Sequence, residues 1–82
     1  MGILSMKTKT IYVTDANGYA SGLADWLMDH SAWFMATPLP FGVWQFEIKI
    51  DVWFQLTEAT RILGYDQFES EESPARWEPK DE

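Results

Sequence analysis

The chain has 82 residues, 46% of them hydrophobic and 16% aromatic, and a formal net charge of −7. A chain of that length forms one domain, which buries only a little more than about 60% of its unfolded surface and leaves no room for a separate cofactor domain. The apolar and aromatic content excludes an intrinsically disordered chain despite the acidity. With no cysteine, neither a disulfide nor a thiolate zinc site is available, and stability has to come from the core or from a partner. The opening MGILSM has neither the length nor the basic start of a secretory signal, and no apolar run approaches the roughly 18 residues of a membrane span. A soluble, cytoplasmic protein is the expectation.

Residues 7 to 14, KTKTIYVT, alternate loosely and are rich in β-branched side chains, which predicts a strand ending at the turn Asp15-Ala16-Asn17-Gly18. From Tyr19 to His30, Ala20, Leu23, Ala24 and Leu27 recur at helical spacing. Asp25 and Asp29, four residues apart, then fall on the outer face of that helix. The short apolar run Trp33 to Ala36 is halted by Pro38-Leu39-Pro40-Phe41-Gly42, a hairpin connection. Trp44, Phe46, Ile48, Ile50 and Val52 alternate with Gln45, Glu47, Lys49 and Asp51, the period of a strand buried on one face. Val52, Leu56, Ala59, Ile62 and Leu63 also fit a helical stripe that stops at Gly64, with Asp51 or Thr57 as the N-cap. Residues 51 to 56 are therefore open to either assignment. The order β-α-β-β-α predicts a small two-layer α+β domain over residues 1–65, its three-stranded antiparallel sheet covered by helices on one face.

Residues 66–82 hold seven acids against Arg76 and Lys80, which is five of the seven net negative charges. With Ser70, Ser73, Pro74 and Pro79, this composition predicts an acidic C-terminal tail extended outside the core. Phe68 and Trp77 are out of character there. They either tack the tail onto the body or dock into a partner.

Two stretches invite a chemical reading. Asp15-x-Asn17-Gly18 begins like a calcium loop, but position 5 is Tyr19, position 6 is Ala20 and position 12 is Trp26, where an oxygen ligand, glycine and glutamate are needed. His30 is the sole histidine, and at a helix C-terminus its ring is favoured by the dipole without any ligand. No catalytic residue, metal site or cofactor is expected, and the chain is expected not to be an enzyme.

The stretch from Trp53-Phe54 through Leu63-Gly64-Tyr65 resembles the N-terminal part of Bro-N type antirepressor domains, where a strand ending in an aromatic pair leads into a helix closing on Leu-Gly-Tyr. It also resembles the first helix of excisionase-like helix-turn-helix modules, with Thr57, Arg61 in place of an alanine, and Ile62-Leu63-Gly64 at the matching positions. The resemblance spans residues 53 to 65. It implies a transcription-associated DNA-binding module. Both families continue into a basic second helix, whereas this chain continues into Phe68-Glu69-Ser70-Glu71-Glu72, which repels phosphate. Direct nucleic-acid binding is therefore not expected.

Carboxylates on the first helix and the tail suit a basic groove on another protein, through long-range steering. Five tryptophans and five phenylalanines exceed what a small core hides, which points to a protein interface or to self-association as a homodimer. The leading expectation is a small acidic inhibitor or modulator that occludes a site on a nucleic-acid-processing partner. In size and composition it resembles the anti-restriction and anti-CRISPR inhibitors of phages and mobile elements. Asp25, Asp29, Glu69, Glu71 and Glu72 are the expected electrostatic contacts, with Phe41, Phe68 and Trp77 as anchors. The alternatives are the DNA-binding module and a homo-oligomeric structural protein.

Overall fold

The computed structural model of the chain describes residues 7–63 and 74–80. Strand β1 (Thr8–Thr14) leads through a short helical turn at Ala16–Gly18 into helix α1 (Tyr19–Asp29). Strand β2 (Phe34–Leu39) and strand β3 (Val43–Lys49) form a hairpin around the turn Pro40–Gly42. Helix α2 (Ile50–Ala59) follows at once, and strands β4 (Thr60–Leu63) and β5 (Arg76–Pro79) complete the fold. The main sheet is antiparallel throughout, with order β1-β3-β2, and β4 pairs with β5 in a second, two-stranded sheet.

Register explains the layering. Ile11 lies opposite Phe46, which lies opposite Ala36, and Lys9, Ile48 and Phe34 form the next row. Directly opposed residues share a face, and this face carries Ile11, Val13, Phe46 and Ile48 of the buried core. Helix α1 adds Ala20, Leu23 and Leu27, and α2 adds Val52 and Leu56, so both helices cover the same side. The other face is mixed: Thr10 and Tyr12 on β1, Gln45 and Glu47 on β3 and Thr37 on β2 share it with Met35, Leu39 and Val43. On it the Thr8 hydroxyl donates to the Glu47 carboxylate at 2.9 Å.

Helix α1 ends in a Schellman motif. The Ala32 N–H donates to the Leu27 carbonyl at 2.9 Å and the Ser31 N–H to the Met28 carbonyl at 3.0 Å, with Ser31 in the left-handed region at φ 54°. His30 closes the same end, its Nδ1 donating to the Trp26 carbonyl at 2.8 Å and its ring stacking on Trp26. It is a helix cap.

Several expectations change in the second half of the chain. Helix α2 begins at Ile50, with extended Lys49 in the N-cap position, so neither Asp51 nor Thr57 caps it; Asp51 sits in its first turn. Residues 51 to 56 are helical. The helix ends at Ala59 because Thr60 turns extended, and Ile62 and Leu63, expected on the helical stripe, lie on β4. The tail boundary moves as well. Residues 74–80, expected outside the body, bring Ala75 and Trp77 into its buried interior. Ala75 bridges to β1, its N–H donating to the Tyr12 carbonyl at 2.8 Å and its carbonyl accepting from Thr14 N–H at 3.0 Å.

Trp77 explains why this strand belongs to the domain. Its indole Nε1 donates to the Thr60 hydroxyl at 2.9 Å, and that hydroxyl donates to the Leu56 carbonyl at 2.7 Å. Burying a large ring is favourable only if its N–H finds a partner, and Thr60 supplies one from the β4 start. The ring lies against Gly22 of α1, where an added Cβ would sit 2.8 Å from Cζ3. A small residue on the helix thus makes room for a large one on the last strand.

Candidate functional site

The surface that stands apart is the β2–β3 hairpin and its approach. Residues 30 to 46 form a run of seventeen without an aspartate, glutamate, lysine or arginine, in a chain that is 23% charged. Along this arm Trp33 is 42% and Met35 53% exposed, and Phe41 at the tip is fully exposed.

The tip is built to hold that ring out. Pro40 starts the turn, and Phe41 and Gly42 follow with φ of 65° and 72°, two successive left-handed residues. Glycine takes this region without cost, but a bulky side chain does so at roughly 1–2 kcal/mol. Phe41 contributes no burial to offset the strain. The turn is pinned at its base, where the Gly42 carbonyl accepts from the Asp15 N–H at 2.7 Å. A fully exposed aromatic residue held in a disfavoured conformation is a feature folding does not explain, and such strain concentrates at ligand contacts.

The backbone donor row at the free edge of β2 is interrupted. The Tyr12 carbonyl and Thr14 N–H turn away from β3 towards Ala75, so the odd residues of β1 bond to Trp44, Phe46 and Ile48. Val43, Gln45 and Glu47 then bond to Leu39, Thr37 and Met35 across the β2–β3 register. This leaves Phe34, Ala36 and Pro38 facing the free edge of β2. Pro38 has no N–H to offer there, a device that blunts an edge against another strand.

On the helix side of the sheet, α1 packs over β1 and β5 and stops short of β2. The gap is a groove of about 100 Å³ lined by Ala20, Ser21, Ala24, Ala36, Trp44 and Phe46. Its walls are mostly apolar, and alanines on both sides keep it open. Ligand pockets for drug-sized molecules run to about 300–1,000 Å³. This groove accepts one side chain.

Asp25 and Asp29 are both exposed on α1 with Met28 beside them, as the helical spacing predicts. Asp15, at the foot of the hairpin turn, accepts from the Ser21 hydroxyl at 3.4 Å, which places a carboxylate beside the groove. Trp77 is corrected: at 5% exposure it is a core residue, and its hydrogen bond to Thr60 holds it there. Phe68, Glu69, Glu71 and Glu72 lie outside the described residues. Sequence reasoning did not single out Met35 as exposed, because an apolar residue within a strand reads as core. It also did not single out Phe54, 62% exposed on α2 between Asp51 and Glu58 at helical spacing.

Among the described residues no three histidine or acidic side chains cluster as metal ligands, and no helix is long and apolar enough to cross a membrane. Gly64 and Tyr65 lie outside the described residues, and the segment matched to the helix-turn-helix first helix breaks into helix and strand between Ala59 and Thr60. The continuous helix that the helix-turn-helix resemblance implied from Thr57 onward is therefore not formed. Comparison with known protein families, curated proteins and solved structures gives no match.

Proposed function

We propose that this chain is a non-catalytic protein-binding module that acts as an inhibitor or modulator, and that its uncharged hairpin arm is an interface. The observation that carries the reading is Phe41, fully exposed and held at φ 65°. Aromatic anchors of this kind dominate interface energetics when they enter a pocket on the partner. The acidic surface, with Asp25 and Asp29 on α1, favours a basic partner by raising its encounter rate. A nucleic-acid-processing enzyme, whose groove is basic by necessity, is the partner class this charge suits best.

The test compares immobilised wild-type chain with Phe41→Asn and with Asp25→Asn/Asp29→Asn, at low and moderate salt, against a panel of nucleic-acid-processing enzymes. The reading expects a panel member held by the wild type, released by salt, and lost with Phe41→Asn although that variant stays folded. Retention indifferent to both sets of substitutions would overturn it.

A further inference from the structure

We infer that the groove between α1 and β2 is the socket for Phe41 of a second copy of this chain, giving a twofold dimer in which each copy inserts its ring into the other. This rests on reading the arm as an interface and names a second copy as what covers Phe41 when no foreign partner holds it.

Size comes first. The groove measures about 100 Å³, somewhat smaller than the engineered apolar cavity of about 150 Å³ that takes up benzene. Half-buried Trp44 presents aromatic surface to a ring above buried Phe46, and Ala20, Ala24 and Ala36 line the rest of the space.

Placement comes second. Trp44 is three residues from Phe41 in sequence, so their Cα atoms lie within about 11 Å of one another. A twofold interface must present the same patch on both subunits, and knob and socket side by side on one chain meet that requirement. The ring does not occupy its own socket, since it is fully exposed.

Electrostatics comes third. No formal charge lies between His30 and Phe46, so an otherwise acidic molecule has one region where two copies approach without placing carboxylates in contact. Asp15 bonds to the groove-lining Ser21, and Asp25 follows Ser21 by one turn of α1, which sets a salt signature. Like charges at the rim make self-association stronger as salt rises, whereas binding to a basic partner weakens. Pro38 removes one N–H from the free β2 edge, which disfavours joining the two sheets there. Two rings and their sockets bury on the order of 800 Å² in total, from about 200 Å² per ring. This falls below the roughly 1,200–2,000 Å² of stable specific interfaces, so a weak dimer is expected, to be sought from about 10 μM to about 1 mM.

The experiment is sedimentation equilibrium of the full chain across that concentration range, at about 50 and about 300 mM salt, with Phe41→Asn and the socket-filling Ala36→Leu alongside. Circular dichroism of each variant verifies folding. Twice the monomer mass, tighter at the higher salt and weakened about 30-fold or more by Phe41→Asn, supports the inference. Replacing Phe41 by p-benzoylphenylalanine keeps an aromatic ring; photo-crosslinking should then join it to Ser21, Ala24 or Ala36 of another copy. A wild type monomeric throughout, or crosslinks that miss the socket, overturns it. A monomer that still needs Phe41 to hold a foreign protein would end the dimer while leaving the proposed function standing.

Discussion

Gly22→Ala is the sharpest test of how the last strand is held. In an exposed helix this change stabilises by about 1 kcal/mol, because alanine is the better helix former. Here the new Cβ would lie 2.8 Å from Cζ3 and 3.3 Å from Cε3 of Trp77, inside the contact distance of about 3.5–4.0 Å for carbon pairs. The ring cannot retreat without straining its 2.9 Å hydrogen bond to Thr60. Overpacking of this kind costs about 1–3 kcal/mol, more than the propensity gain. The expected net is a loss of about 1 kcal/mol, from a total of roughly 4–12 kcal/mol for a chain of this length. In a domain this small that lowers the melting temperature by about 4–8 °C. Urea unfolding should be run as a cycle with Trp77→Leu, which removes the ring: there Gly22→Ala should stabilise, so the sign reverses and the coupling is about 2 kcal/mol. A stabilising Gly22→Ala in the wild type would refute the packing of β5 on α1.

Three further outcomes follow from the same contacts. Thr60→Val leaves the buried indole N–H of Trp77 without its acceptor and should cost about 1–3 kcal/mol in urea titration, whereas Thr60→Ser, which keeps the hydroxyl, should cost less. A chain ending at Tyr65 loses Ala75 and Trp77 from the core and should lose its cooperative thermal transition, seen by circular dichroism; a native-like melt would show that residues 74–80 are dispensable. Ser31→Gly places glycine at the left-handed residue that ends α1 and should raise stability by up to about 1 kcal/mol, read as a shift in urea midpoint.

The first half of the fold was legible because its signals are local. β1, α1 and the β2–β3 hairpin each carry their own period and stop at their own turn residues, and Asp25 and Asp29 fall outside as the helical spacing of Ala20, Leu23 and Leu27 requires. The second half was not, because its deciding contacts are distant in sequence. Ile62 and Leu63 extend the Val52–Leu56 stripe perfectly well, and only pairing with β5 makes Thr60–Leu63 a strand. Trp77 sits among acids, and composition spoke for a tail. The alternation of Ala75 and Trp77 with Arg76 and Glu78 was a strand signal, but too short to outweigh the charge. For the candidate site, the turn residues marked the hairpin, and the aromatic surplus pointed to exposed rings, as Trp33 and Phe41 are. That Phe41 takes the left-handed conformation is set by the turn as a whole, and the groove exists only because α1 packs over β1 and β5 rather than β2.

The central claim is that Phe41 is kept for contact at some cost to the fold, and it is tested most directly by the unfolding free energy of Phe41→Asn against wild type, at concentrations well below dimer formation so that association does not contribute. Asparagine accepts the left-handed region better than phenylalanine, and the ring buries nothing within its own chain. The account predicts that Phe41→Asn is as stable as the wild type or more so, by up to about 1 kcal/mol. A loss of more than about 1 kcal/mol, the scale of an ordinary destabilising substitution, would show that the ring packs into its own fold, and the case for Phe41 as an interface anchor would fall with it.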